Sequence, residues 1–135
     1  MRLSTKSEYA CLAIIDLAEH YNKDYVKIEG ISERKKIPRK YLEQILLILN
    51  RAGYLQSKRG AIGGYKLARD PKRITLAEIV RLMDGALAPV GSVSTYFYES
   101  TPIEQNKNLI KVFKEIRDHI AKKMEKTTFA QLVGK

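Results

Sequence analysis

A glycine-rich turn between two short strand-like runs restricts the fold of this chain more than any other feature. Residues 54–59 have β-forming character, the turn holds Gly60, Gly63 and Gly64, and residues 65–67 resume the strand pattern. This arrangement predicts a β-hairpin with a basic tip. The rest of the chain has mostly helical periodicity, so the hairpin is expected to project from a mainly α protein.

Three short helices are predicted before the hairpin. Apolar spacing places them over Ser7–His20, Val26–Lys36 and Pro38–Ala52, and Thr5 and Glu8 have capping-box spacing at the start of the first. Three helices followed by a hairpin is the order of a winged helix-turn-helix. In that fold the second and third helices form the DNA-binding pair.

A fourth helix and a long fifth helix are predicted after the hairpin. Thr75 and Glu78 form a second capping-box pair, and the long helix is expected over Ile103–Lys126. Thr128 is expected to cap a last turn, Phe129–Val133. The long helix has no sequence neighbour long enough to cover its apolar stripe, so pairing with a second copy is expected. The expected dimerisation residues are Leu109, Val112, Phe113, Ile116, Ile120 and Met124.

The predicted organisation has three parts. Residues 1–85 form the winged helix-turn-helix, residues 86–101 form a loop, and residues 102–135 form the dimerisation helix and C-terminal tail.

Charge favours a polyanion as partner. The 135 residues include 25 Lys+Arg against 15 Asp+Glu, a net charge of +10, and five of the seven residues Arg34–Lys40 are basic. This balance favours DNA or RNA ahead of an acidic membrane. The longest apolar runs, such as Ile45–Leu49, are far shorter than the roughly 20 residues of a membrane-spanning helix, and the N-terminus lacks the pattern of a signal peptide. A cytoplasmic protein without a membrane partner is expected.

The start of the third helix carries side chains that suit base and phosphate contacts. Gln44 suits a bidentate bond to adenine, and Glu43 suits acceptance from cytosine N4. Arg39 and Lys40 are suited to donate hydrogen bonds to guanine or phosphate. Tyr41 is suited to bond a phosphate or to contact a thymine methyl group. These residues are the expected major-groove readers.

The hairpin tip suits the minor groove. Glycines allow close backbone approach, and cations are attracted by the negative potential of a narrow minor groove. The expected contacts are Lys58, Arg59, Gly60, Gly63 and Gly64.

Catalytic and metal sites have little support. His20 and His119 lack a second ligand at metal spacing, and the lone Cys11 lies on an apolar helix face as a small core residue. No phosphate-binding glycine loop and no nucleophile–base pair is evident, so no enzyme activity is expected.

Six motifs are spread over nearly the whole chain, namely Met1–Lys6, Ile31–Glu33, Tyr41–Gln44, Arg59–Tyr65, Ile74–Ile79 and Thr127–Leu132. Together they resemble the Rrf-two family of bacterial winged-helix regulators. The resemblance implies a homodimeric DNA-binding transcription factor, with Arg2, Ser4 and Lys6 near the DNA backbone. At positions 38–40 this chain has Pro-Arg-Lys where some members have smaller, less basic residues, so a different operator is expected.

The chain departs from many members of that family within residues 86–107. Those members carry three cysteines that hold an iron–sulfur cluster, whereas the nearest residues here are Ser92, Ser100 or Thr101, and Lys107. Because thiolates usually hold such clusters, no cofactor is expected in this chain. A cluster is expected only in a parent protein that carries the cysteines.

Three functions stay open at this point. The first is a DNA-binding repressor controlled by a regulatory protein, a small molecule or no ligand. The second is a cluster-sensing regulator in a cysteine-depleted or apo form. The third is a protein-interaction module without specific DNA binding. Tyr96, Phe97 and Tyr98 in the loop suit a sensor, a dimer contact or a mobile segment.

Overall fold

Helices dominate the computed structural model, which describes residues 2–134; Met1 and Lys135, at the ends of the expected first and last parts, lie outside the described residues. The expectation of a mainly α chain with one antiparallel hairpin is confirmed. Short 3-10 turns occur at Pro71–Arg73, Gly91–Val93, Pro102–Gln105 and Phe129–Leu132. The helices and strands are α1 Thr5–Glu19, α2 Ile28–Lys35, α3 Arg39–Arg51, β1 Leu55–Lys58, β2 Gly64–Leu67, α4 Leu76–Asp84 and α5 Lys107–Lys126.

The start of α1 differs from the expectation. Ser4 is the capping residue, and its Oγ accepts from the backbone N–H of Ser7 at 3.0 Å. Thr5 lies inside the helix, so the predicted Thr5–Glu8 capping box is wrong. A tertiary contact explains the earlier start, because the Ser4 N–H also donates to Asp84 of α4 at 2.9 Å.

The second helix is shorter at its start than the sequence pattern suggested. Val26 pairs with Tyr65, each backbone N–H donating to the other residue's carbonyl at 2.8 Å. These bonds hold Val26 in an extended conformation beside β2, as an isolated antiparallel bridge. The helix therefore begins at Ile28 rather than Val26.

The third helix begins one residue late. Pro38 has extended backbone angles and precedes the helix, instead of forming its first turn as expected. The sequence predicts a left-handed cap at Gly53, and this glycine follows the helix with a φ of +87°. Apolar spacing also predicts that one stripe of α3 is buried, and the structure buries all four of its members, namely Leu42, Ile45, Leu46 and Leu49.

The hairpin needs its last two glycines for packing inside the chain. The two strands pair antiparallel along their full length, which is shorter than the predicted first strand. A Cβ on Gly63 would lie 2.0 Å from the carbonyl oxygen of Lys58, and one on Gly64 would lie 2.3 Å from that of Val26. Close backbone approach within the fold thus accounts for both residues.

The predicted cap of α4 is confirmed, and the C-terminal tail returns to the same core. Thr75 and Glu78 form the capping box that opens α4. Thr128 caps the last turn as expected. The N–H of Phe129 donates to the Ile74 carbonyl at 2.9 Å, and the Phe129 side chain is fully buried in the apolar core, where the C-terminal turn contacts α1.

The long helix starts later than expected. Residues 103–105 belong to the 3-10 turn that follows Thr101, and Asn106 caps α5 by accepting from the Leu109 N–H at 2.9 Å. The preceding loop is partly ordered around buried Ser92, Val93 and Ser94.

Within residues 2–134, no helix combines the length and apolarity needed to cross a membrane.

An ion pair between a buried carboxylate and a partly exposed guanidinium joins α1 to α2. The Asp16 side chain has no exposed surface, and it accepts from Nε and Nη2 of Arg34 at 2.7 and 2.9 Å. Gly30 leaves the space for this guanidinium, because a Cβ there would lie 2.9 Å from Arg34 Nη1. His20 Nδ1 lies 2.7 Å from the Asp16 carbonyl oxygen. The pair fixes the position of α2 before the turn to α3.

We predict that Asp16→Asn lowers the free energy of unfolding by about 1–3 kcal/mol, because the buried side chain loses a charge-assisted bidentate interaction. Urea denaturation followed by circular dichroism measures the loss. The control is Asp118→Asn, which removes an exposed carboxylate paired with Arg117. This control should cost less than about 1 kcal/mol. Equal losses in the two variants would contradict the role given to the buried pair.

Candidate nucleic-acid interface

A short, fixed turn joins α2 to α3. Lys36 ends α2 in the left-handed conformation, with φ +54° and ψ +46°. Ile37 is buried, its N–H donates to the Ser32 carbonyl at 3.1 Å, and its own carbonyl accepts from Ser32 Oγ at 2.6 Å. The turn therefore has little freedom, and the angle between α2 and α3 is set by the fold. This is the arrangement of a helix-turn-helix.

The outer face of α3 is polar over its first two turns. Its buried stripe faces α1 and α2, which leaves the opposite side in solvent. The residues predicted to read bases are all exposed there, namely Arg39, Lys40, Tyr41, Glu43 and Gln44.

Arg39 is already engaged inside the free protein. Its Nη2 lies 3.2 Å from Glu29 Oε1 of α2, and its Nε lies 3.4 Å from Glu43 Oε1. All three side chains are more than half exposed, so the attraction is screened and the network can open when a phosphate approaches. Sequence reasoning missed Glu29, since an acidic residue in the first turn of a helix has an ordinary local explanation.

Much of the basic run at 34–40 serves the fold. Arg34 pairs with Asp16, and Lys35 Nζ lies 2.8 Å from Glu19 Oε1. Among residues 2–134, Lys36 and Lys40 have no carboxylate within 4.0 Å. The run is thus less available to a polyanion than its composition indicated.

Tyr41 is supported from α1. Its ring and that of Tyr9 have centroids 5.8 Å apart at a tilt of 51°, while 53% of Tyr41 stays exposed. This contact restricts the rotamers of Tyr41 before any ligand binds.

The hairpin, residues 55–67, is called the wing from here on. Lys58, Arg59 and Gly60 are exposed on it, as a nucleic-acid contact requires. Gly63 is buried and Gly64 is half-buried, so those two predicted contact residues have a packing role in this structure. Gly60 differs, because its φ is +101° and no atom would lie within 4 Å of an added Cβ.

An aromatic ring lies beneath the wing lysines. Lys66 Nζ lies 4.6 Å from the centroid of Tyr25, and Lys58 Nζ lies 5.7 Å from it. Both distances suit cation–π attraction, which orients the ammonium groups on one side of the wing. The sequence alone gave no signal for this role of Tyr25.

Residues Val26–Glu29, called the brace below, contact both parts of the predicted interface. Val26 bonds to Tyr65, the second residue of β2, and Lys27 Nζ donates to the Ala61 carbonyl at the wing tip. Glu29 forms its ion pair with Arg39 at the start of α3. The wing tip and the first turn of α3 are therefore held to the same short segment.

The chain start is only partly available for DNA. Arg2 and Lys6 are exposed, but Ser4 uses its N–H and Oγ on the Asp84 carboxylate. Partial burial acts to raise the pKa of Asp84, and the hydrogen bonds from the Ser4 side chain and backbone outweigh it and hold that pKa below its ordinary value. Ser4 thus anchors α1 to α4.

Comparison with known proteins identifies the family. The sequence model of Rrf2, described as an iron-dependent transcriptional regulator, matches residues 3–135. This chain belongs to the Rrf2 family. It is the Rrf-two family that the motifs resemble, and the chain is therefore a transcriptional regulator.

Individual relatives agree with that assignment. An HTH-type transcriptional regulator of Synechocystis is 31% identical over 132 residues, covering 98% of this chain and 87% of that protein. The regulator CymR of Bacillus subtilis is 30% identical over 134 residues, covering 99% and 91%. The solved structure of this CymR, described as the global cysteine regulator of B. subtilis, superposes with a TM-score of 0.78 at 28% identity over 99% of both chains. IscR of T. potens has a TM-score of 0.75 at 30% identity, over 98% and 85%. The winged helix-turn-helix prediction is confirmed, and the relatives are regulators rather than enzymes.

The Rrf2 description raises the question of an iron site, and the residues of this chain do not fit an iron–sulfur cluster. Buried Ser92 shares a hydrogen bond of 2.6 Å with Thr101, and Ser100 donates to Glu104 at 2.8 Å. Lys107 opens α5. Among residues 2–134, no group of three His, Cys, Asp or Glu side chains is placed to hold a metal ion. Hydroxyls bonded to each other and a lysine are not the donors such clusters use.

The apolar stripe of α5 divides between two faces. Phe113, Ile120 and Met124 are half-buried, and Met124 packs on the cluster of Ala77, Val80 and Leu87 within the same chain. The other predicted dimerisation residues are exposed by 40–50%, namely Leu109, Val112 and Ile116.

Cys11 lies between the two apolar clusters of this Rrf2 chain. It is half-buried and free, and it packs on both clusters. Burial, together with the nearby carboxylates of Asp84 and Glu8, raises the pKa of the Cys11 thiol to about 11. A thiol with this pKa is a poor nucleophile at neutral pH.

We predict that Cys11 reacts slowly with Ellman's reagent in the native protein at pH 8. The shift from the ordinary value of 9.0 to about 11 lowers the thiolate fraction roughly 100-fold. The same reaction in 8 M urea is the control and should be fast. A native rate close to the unfolded rate would contradict the packing role of Cys11.

Proposed function

We propose that this Rrf2 regulator is a homodimer that binds a roughly palindromic operator and represses transcription by blocking the polymerase. The observation that carries the proposal is the double attachment of the brace. Because the brace bonds to the wing and continues into α2, which the hydrogen-bonded turn at Ile37 joins to α3, the two predicted DNA-binding elements are held in one frame in the free protein. A duplex can then meet α3 in a major groove and the wing in the adjacent minor groove.

Sequence reading belongs to the exposed side chains of α3. Gln44 and Glu43 have the hydrogen-bonding groups for adenine and cytosine, respectively. Arg39 is held by Glu29 and Glu43, so its approach to a phosphate or guanine competes with those carboxylates. Binding of Arg39 to DNA would release Glu43 for a base contact.

Affinity belongs to the cations that point into solvent. These cations are Lys58 and Arg59 in the wing, Arg2 and Lys6 near the chain start, and Lys40 on α3. Phosphate contacts release counterions, so binding should fall steeply with salt. Arg59 suits the minor groove, where negative potential concentrates when the groove is narrow.

Dimerisation belongs to the exposed apolar face of α5. Leu109, Val112 and Ile116 follow each other at three- and four-residue steps, as in a helix–helix seam. A two-fold pair of subunits would place the two copies of α3 about 34 Å apart, or a multiple of this, to match successive major grooves.

The side chains at the cluster-ligand positions of relatives favour regulation of DNA binding without a bound iron–sulfur cluster. The loop 86–101 carries Tyr96, Phe97 and Tyr98 in solvent, and Arg117 of α5 donates to the Val93 carbonyl at 3.0 Å. A regulatory protein or small molecule that binds this loop would act directly on the dimerisation helix. CymR is named as a cysteine regulator, so cysteine-related metabolites and enzymes are the first ligands to screen.

The direct test is fluorescence anisotropy on a duplex from the upstream region of the protein's own gene, against random DNA of equal length at two salt concentrations. We predict that Gln44→Ala costs about 1–3 kcal/mol on the preferred duplex and relaxes its choice of sequence. Lys58→Ala should weaken all duplexes alike and reduce the salt slope by about one.

Two results would count against this assignment. Equal losses from both variants on random DNA would exclude direct reading by Gln44. Salt-sensitive binding of the wild type without preference among many sequences would leave only a nonspecific polyanion surface.

We predict that Ile116→Glu weakens the dimer by roughly 100-fold, about 2.7 kcal/mol, because an unpaired carboxylate would be buried in the seam. Sedimentation velocity over a range of concentrations measures the shift from dimer to monomer. Lys122→Gln is the control, since it changes the net charge by the same single unit as Ile116→Glu, at another exposed position of α5. An unchanged dimer in Ile116→Glu would place the interface elsewhere.

A further inference from the structure

The apex of the wing carries an apolar side chain that folding does not explain. Ile62 is 70% exposed and is absent from the residues packed on either apolar cluster. It occupies the third position of a turn closed by the Gly63 N–H donating to the Gly60 carbonyl at 3.0 Å. Such turns favour Gly, Asn, Asp, Ser and Pro. A β-branched apolar residue there contributes neither turn propensity nor core packing.

The backbone that presents this side chain is firmly held. Lys27 Nζ bonds to the carbonyl of Ala61, the residue directly before Ile62. On the other side, Gly63 is packed so closely on the Lys58 carbonyl that no Cβ would fit. The apex is therefore ordered on folding, and a ligand that covers Ile62 has little further ordering to impose.

The surroundings of Ile62 point to DNA as the covering surface. Exposed Lys58 and Arg59 precede the apex, which disfavours a cationic or uncharged apolar partner there. The walls of a DNA minor groove are deoxyribose C–H groups between two rows of phosphates, so they combine an apolar surface with negative potential. Proteins place apolar side chains such as Ile in minor grooves, often beside Arg or Lys.

We propose that Ile62 is a DNA-contacting residue, which enters the minor groove beside Arg59 and packs against the deoxyribose walls. This inference rests on the proposed function, and it adds an apolar contact to a wing otherwise described by charge. It gives the brace a specific purpose, because Lys27 sets how far the apex reaches toward the groove.

The experiment uses the full chain and a duplex that the wild type selects from a randomised pool. Binding is measured by anisotropy, and sugar protection by hydroxyl-radical cleavage, which attacks deoxyribose C–H bonds from the minor groove. We expect Ile62→Val to weaken binding roughly threefold and Ile62→Ala roughly 30-fold, because the first removes one methyl-sized group and the second removes three. The salt slope should stay that of the wild type, because no charge is removed.

Cleavage gives the readout that a loss of wing structure alone would not produce. In Ile62→Ala, protection should weaken at the two or three sugars under the wing apex and persist where α3 lies. Leu132→Ala is the matched control, because Leu132 is an exposed apolar residue in the C-terminal turn. It should bind DNA as the wild type does, and all variants should unfold at the same temperature.

The outcomes separate the inference from the function beneath it. A wild type that selects no duplex overturns both the proposed function and the contact by Ile62. Specific binding by the wild type, with Ile62→Ala within twofold of it and the same sugar protection, overturns the contact alone. Equal loss in Leu132→Ala also overturns it, because the effect would then not depend on the wing.

Discussion

The attachment of one short segment to two elements is the constraint on which the interface depends. Residues 26–29 comprise the end of the connection from α1 and the first two residues of α2, where the sequence pattern suggested only a helix start. Val26 pairs with Tyr65 of the wing, Lys27 reaches the wing tip, and Glu29 pairs with the first residue of α3. At the other end of α2, Arg34 is fixed by the buried Asp16. Since α2 is held at both ends, α3 and the wing share one rigid frame.

This frame changes the meaning of the chain's net charge. Several cations that look available in the sequence are neutralised by neighbours, and their pairing determines local geometry. Arg34 and Lys35 secure α2 to α1, while Arg39 links α2 to α3. The cations outside these pairs include Lys58 and Arg59 on the wing, Arg2 and Lys6 at the chain start, and Lys36 and Lys40, together with the exposed lysines of α5. Net charge alone therefore does not locate the surface that meets a polyanion.

The loop before α5 presents a different chemistry from that in the family's description. Rrf2 is described as iron-dependent, yet here Ser92, Thr101, Ser100 and Glu104 satisfy one another by hydrogen bonds. The loop is organised by these bonds and by the cation–π contact of Arg81 with Tyr96. Its order does not need a metal, so a signal that acts here would have to rearrange hydrogen bonds and aromatic packing.

The sequence by itself determined the order of elements, the buried stripe of α3, the capping box of α4 and the family. These features are local, because they depend on residue spacing within one turn or one helix, or on contiguous motifs. Tertiary structure decided where α1 and α2 begin, since Ser4 forms hydrogen bonds with Asp84 and Val26 forms backbone hydrogen bonds with Tyr65. It also decided which face of α5 stays exposed and which charges remain unpaired. Those outcomes depend on groups that are distant in the chain, and the energy of each contact exceeds the local preference that periodicity measures.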